Sequence, residues 1–180
     1  RTICLDLTQR RPNQYLLMPR WAADDLSTYL GRVTGQEVPA GNRPAEGTLP
    51  IYVGNAPNPP ELKVSSEFGD AYLVDISDER IALVGESNRA VYYAAARLLH
   101  RCGVRWYGKG EIGEVVPTNA DFALEAGRFE ASPDFHTRNL WADKRWALRN
   151  GLGGPAMAQG HAFARYMRTF SAKEHPEYFP

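Results

Sequence analysis

The chain has little of several things that usually announce chemistry. Of its 180 residues only two are cysteine, Cys4 and Cys102, and neither has a second Cys or a His at zinc-site spacing. Metal binding through sulfur is thereby excluded, and two buried free thiols are expected in place of a disulfide. The four histidines, His100, His136, His161 and His175, are dispersed, and no His-Glu-x-x-His helix occurs. Net charge is also missing: 21 Lys and Arg balance 21 Asp and Glu. No field draws the chain to a polyanion, so nucleic acid is not an expected partner. No apolar run approaches the roughly 20 residues of a membrane span, and no secretory leader pattern is visible, although Arg1 leaves room for one already removed. No serine or cysteine stands in a nucleophile elbow. No metal, cofactor or catalytic residue is expected within these residues.

What is present is an ordinary packed composition, 43% hydrophobic with 11% aromatic and 23% charged. Thr2 to Leu7 reads as a strand, ended by Arg10 to Asn13. Ala22, Leu26, Tyr29, Leu30 and Val33 recur on one face of a helix that starts at Pro19, a proline suited to a first turn, and stops at Gly35. A strand is expected at Leu49 to Val53. Ala71 to Ile76 and Arg80 to Val84 flank the turn Ser77-Asp78-Glu79 as an antiparallel hairpin. The second helix runs from a Ser87 cap to Gly103 with Val91, Ala94, Ala95, Leu98, Leu99 and Cys102 on its apolar face. Val104 to Tyr107, Glu114 to Pro117 and Asp121 to Leu124 are extended. This order predicts an α+β domain, a mixed sheet with two packed helices.

Several segments imitate functional motifs. Gly108 to Gly113 has the glycine spacing of a dinucleotide turn, but Glu114-Val115-Val116-Pro117 is extended where the phosphate-binding helix would have to begin. Asp24 and Asp25 read as the polar start of a helix. The last third is different in character. Trp141, Trp146, Tyr166, Tyr178 and Phe179 are interleaved with Arg138, Lys144, Arg145, Arg149 and Asn150. Aromatic faces stack on sugar rings and Arg or Asn forks bind hydroxyls, so this is the chemistry of a sugar site. The plainer reading of the same residues is barrel core plus surface charge. His161, after the run Gly151 to Gly160 and beside Phe163, joins the candidates.

Taken together, Trp21 to Leu30 with Thr34-Gly35, Pro50 to Gly54, Ala71 to Val74, Ile81 to Gly85, Ala90 to Ala94, Gly103 to Gly108, Glu111 to Pro117 and Ser132-Pro133-Asp134-Phe135 resemble a known family. It comprises bacterial proteins with a glycoside-hydrolase-like domain, DUF4838, whose preceding domain is similar to that of family 67 α-glucuronidases and family 20 hexosaminidases (hexosaminidase domain 2-like). The resemblance implies an accessory α+β domain over 1–125 without catalytic residues. Over 126–180 it implies a linker and the first elements of a (β/α)8 barrel, with Phe135 to Trp141 as the first barrel strand. Arg138 then matches a sugar-binding arginine, while Asn139-Leu140-Trp141 departs from the hexosaminidase pattern. Substrate contacts are expected from Arg138, Trp141, Arg149, Asn150 and His161. The catalytic carboxylates are expected beyond Pro180, the partner is a glycan, and the location is periplasmic or extracellular. The alternative is a stand-alone carbohydrate-binding or interaction module without catalysis.

Overall fold

The structure, a computed structural model, describes residues 2–4, 14–118, 123–155, 171 and 173–178, with side chains described for Ile3 and from 17 to 177 within those ranges. In chain order the elements are β1 (Thr2–Cys4), α1 (Gln14–Thr34), β2 (Ala40–Gly41), β3 (Pro50–Val53), β4 (Tyr72–Ile76), β5 (Ile81–Gly85) and α2 (Asn88–Arg101). They continue with β6 (Arg105–Trp106), β7 (Glu114–Val115), β8 (Gly127–Ala131) and α3 (Lys144–Arg149). A six-stranded sheet has the order β2-β1-β3-β5-β4-β8. Its β2, β1, β3 and β5 run parallel, whereas β4 is antiparallel to both β5 and β8.

Period-two alternation decides which strand residues meet the helices. Ile3, Ile51, Val53, Val74, Ile76, Ile81 and Leu83 all enter one core with Leu26, Leu30 and Val33 of α1 and Val91, Leu98 and Leu99 of α2. Each such side chain withdrawn from water contributes about 1.5 to 3 kcal/mol. On the opposite face Arg128 and Glu130 of β8 tie down the connection between β3 and β4. Glu130 accepts from the amides of Lys63 and Val64 at 3.0 and 3.1 Å, and Arg128 donates to the Glu61 carbonyl.

The expected hairpin is present with its register Val74 to Leu83 and Ile76 to Ile81, and Ser77 accepts from Arg80 in the turn. The expected second helix is also present. Ser87 Oγ accepts from the Ala90 amide at 3.2 Å and donates to the Gly69 carbonyl at 2.6 Å, so the cap also anchors the helix to the loop before β4. Gly85 lets β5 end against this helix: a Cβ there would lie 2.5 Å from the Val91 nitrogen.

Three expectations are corrected. α1 begins at Gln14, so Pro19 lies inside it and not in its first turn. Met18, only 3% exposed, extends the apolar stripe of Ala22 and Leu26 back by one turn. Burial there holds the helix through a proline that removes one backbone bond. Gly127–Ala131, expected in the linker that begins at 126, is the edge strand of the sheet. Glu114–Val115 pairs with Arg105–Trp106 as a separate two-stranded ribbon outside the main sheet. The strand expected at Thr2 to Leu7 is described only to Cys4. Arg10 to Asn13 and the Asp121-Phe122 part of the last extended piece lie outside the described residues.

Candidate functional site

After β8 the chain crosses back over the domain and is fastened there by two buried carboxylates. Asp70, at the loop end before β4, is fully buried and receives Arg89 Nε of α2 at 2.6 Å and Arg138 Nη2 at 2.7 Å. Asp25 is 3% exposed in the middle of α1, and so is not the polar start of a helix. Its Oδ1 accepts from Arg145 Nη2 at 2.8 Å and Arg149 Nη2 at 2.7 Å, its Oδ2 accepts from Arg149 Nε at 3.0 Å, and the Tyr92 hydroxyl donates to it as well. Each carboxylate therefore joins the sheet and its two helices to residues 132–155. Burial of a carboxylate is tolerated because its acceptor sites are filled by charged donors.

The electrostatics follow from these contacts. Burial and the neighbouring Asp25 push the Tyr92 hydroxyl above its usual range, so it stays a donor. Burial alone would lower the pKa of Arg149, but its hydrogen bond and attraction to Asp25 outweigh that and raise it above the ordinary arginine value. Arg149 also lies over the rings of Tyr29 and Trp106, at 5.1 and 5.2 Å from their centroids. Glu114 on β7 is desolvated, yet hydrogen bonds from Tyr29 at 2.5 Å and Arg32 at 2.8 Å hold its carboxyl below the ordinary range.

Phe135 to Trp141, expected as the first barrel strand, is an irregular connection and not a strand. Its backbone is pinned to the chain that follows α3 where Arg138 and Gly153 exchange hydrogen bonds of 2.7 and 3.1 Å. The reason lies in the side chain of Arg138. Its Nε donates to the Gly151 carbonyl at 3.0 Å, Nη1 to the Phe135 carbonyl, and Nη2 to Asp70 and to the Tyr93 hydroxyl at 3.3 Å. All three nitrogens hold protein acceptors.

Three of the five expected sugar contacts come together. Arg138, Arg149 and Asn150 line one groove of about 330 Å³, between the C-terminal half of α2 and the chain following β8. Asn150 Nδ2 donates to the carbonyls of Trp106 at 3.2 Å and Trp146 at 3.0 Å, which turns both of its N–H bonds inward. Trp141 is 85% exposed and does not line that groove. His161 lies outside the described residues, as do Gly160, Phe163, Tyr166 and Phe179. The groove also contains Tyr72, Arg97, His100, Asp134 and Phe135, which sequence reasoning did not select for binding. Among the described residues no three of His, Cys, Asp and Glu gather as metal ligands, and no helix is long and apolar enough to cross a membrane. The glycine run 108–113 leads into a single 3-10 turn, Glu111–Gly113, and then β7, so its amides open no α-helix toward a phosphate.

Asp25 and Asp70 were the residues to find. Asp25 had a signal: it occupies the spacing of Ala22, Leu26 and Tyr29, so an acidic residue stands on an apolar face. Asp70 had none beyond its place between Gly69 and the strand.

The architecture defines the class first: an α+β domain whose mixed sheet carries two helices on one face. The particular likenesses are structural. The chain is similar to a family GH115 4-O-methyl-α-glucuronidase with specificity for decorated arabinogalactans, at TM-score 0.58 and 14% identity over 84% of this chain and 24% of that one. A GH20 exo-β-N-acetylglucosaminidase from Vibrio harveyi, in complex with N-acetylglucosamine, matches at TM-score 0.36 and 18% identity over 76% of this chain and 16% of that one. The chain spans less than a quarter of either enzyme. No protein-family model and no curated protein sequence matches it.

Proposed function

We propose that this chain is a non-catalytic accessory domain of a carbohydrate-active enzyme, a glycoside hydrolase acting on glycans, together with the segment that leads toward its catalytic barrel. The observation that carries the reading is the likeness of most of the chain to less than a quarter of a much longer glucuronidase. The chemistry agrees with it. A glycosidase needs two carboxyl groups facing each other across a scissile bond. Among the described residues the two buried carboxylates, Asp25 and Asp70, are instead saturated by arginines, three of which fasten the segment after β8. The resemblance to DUF4838 proteins, a periplasmic or extracellular location and a glycan partner belong to the same proposal.

The purified chain is expected to hydrolyse none of a panel of aryl glycosides and glycans. Reproducible turnover that a point substitution within the chain abolishes would overturn the accessory reading. A second reading, a carbohydrate-binding module acting without catalysis, is favoured by the groove beside α2. The reading frame past Pro180 separates the two. Several hundred further residues with paired acidic side chains support the enzyme, and a stop codon supports the module.

A further inference from the structure

The groove beside α2 contains two kinds of polar group. Arg138 and Arg149, the two arginines that sequence chemistry favours for a ligand, are spent on Asp70 and Asp25. Three others are free. Among the described residues the guanidinium of Arg97, the carboxylate of Asp134 and the hydroxyl of Ser132 have no hydrogen-bond or ion-pair partner, and all three line the groove. Asn150 has both amide hydrogens committed to carbonyls, so its Oδ1 is the remaining acceptor. Phe135, 72% exposed, supplies an open ring at the same place.

The geometry points to this groove as a glycan-binding subsite for neutral oligosaccharides, with Arg97 donating to hydroxyls, Asp134 and Asn150 Oδ1 accepting from them, and Phe135 covering the apolar face of a sugar ring. This inference rests on the reading of the chain as part of a carbohydrate-active protein. The groups left open to a ligand select a neutral one over an anion. They carry one positive charge, Arg97, and one negative charge, Asp134, whereas the guanidinium nitrogens of Arg138 and Arg149 are turned onto Asp70 and Asp25, each of which is shared between two arginines. A set that offers donors and acceptors at once suits vicinal hydroxyls, each of which both donates and accepts. About 330 Å³ lies at the small end of ligand sites, enough for one or two sugar rings.

The test titrates the whole chain with xylohexaose, cellohexaose, chitotetraose and a β-1,3-galactotetraose by calorimetry and by amide chemical shifts, with glucuronate and inorganic phosphate as anionic probes. At least one neutral oligosaccharide is expected to bind, with shifts centred on 131–135 and 97–100. Arg97→Ala and Asp134→Ala should each weaken that binding at least tenfold, and Phe135→Ala should weaken it severalfold. All three residues are exposed, so melting temperatures should stay at the wild-type value, and a variant that melts early is replaced by Arg97→Gln or Asp134→Asn. Binding of the anions alone, binding indifferent to Arg97 and Asp134, or no binding to any neutral probe would each overturn the proposal. If the chain binds nothing and hydrolyses nothing, the subsite is lost and the accessory reading stands. If it hydrolyses a probe, the accessory reading is lost, and the Arg97 and Asp134 variants still judge the groove.

Discussion

Residues up to 131 and residues 132–155 are held together by opposite means. The first region is organised by apolar alternation on strands and apolar stripes on helices, with Leu26, Leu30, Ile51, Leu83 and Leu98 fully buried. The second has one buried apolar side chain among its described residues, Leu148, and leaves Phe135, Leu140 and Trp141 exposed. It is held by Arg138, Arg145 and Arg149 on two carboxylates of the first region. Hydrophobic burial is non-directional and tolerates small displacements, whereas charge-assisted hydrogen bonds fix orientation and fail as a unit. The two regions should therefore fail differently.

The largest effect is expected from Leu98→Asp, which places an unpaired charge in the shared core and should unfold the protein. A wild-type melting temperature would show that the face of α2 is misassigned. Asp25→Ala comes next. Breaking a buried ion pair by removing one partner costs about 3 to 5 kcal/mol, and here two arginines and the Tyr92 hydroxyl lose their acceptor together. Urea unfolding should show a loss of that order.

Asp70→Ala sharpens the contrast further. Amide exchange should accelerate across 132–155 while β3, β4 and β5 keep their protection. Uniform acceleration in both regions would show that they unfold as one unit.

The smallest effects are electrostatic. Burial, reinforced by Arg105 and Arg97, lowers the pKa of His100 below its usual 6.5, so the folded state binds its proton less readily than the unfolded chain. The stability this confers is present above pH 6.5 and is lost as pH falls from there through the folded value. A His100→Gln variant should lose that part of the pH dependence of melting. Glu114, also depressed, adds a loss at lower pH, below the ordinary glutamate range, and Glu114→Gln should remove it.

What was legible in the sequence follows the same division. The hairpin and α2 could be read because turn residues and a Ser87 cap bound their apolar spacings, and local chemistry agreed with the global fold there. The start of α1 was misread because Pro19 suits a first turn in isolation, and only the burial of Met18 shows why the helix runs through it. β8 was passed over because Arg128 and Glu130 hide its alternation, and both are used on the face away from the helices. Phe135 to Trp141 was expected as a strand from resemblance alone. No local pattern favoured it, and the backbone there follows the demands of Arg138. Two of the groove's arginines, Arg138 and Arg149, were found by type, and Arg97 was not. Which of them are free depends on Asp25 and Asp70, whose partners lie far along the chain and leave no trace in spacing.

That distance has a kinetic meaning. Asp25 is separated from Arg145 by 120 residues and from Arg149 by 124, and Asp70 from Arg138 by 68. Closing such long loops is entropically slow, so these contacts follow the hairpin and α2, whose pairings are local. During synthesis the N-terminal half would condense first, with Asp70 held by Arg89 alone and Asp25 short of both its arginines. The arriving arginines would act as the closing step of maturation, and until then the half-made domain would carry an acidic hole at Asp25 that water has to fill.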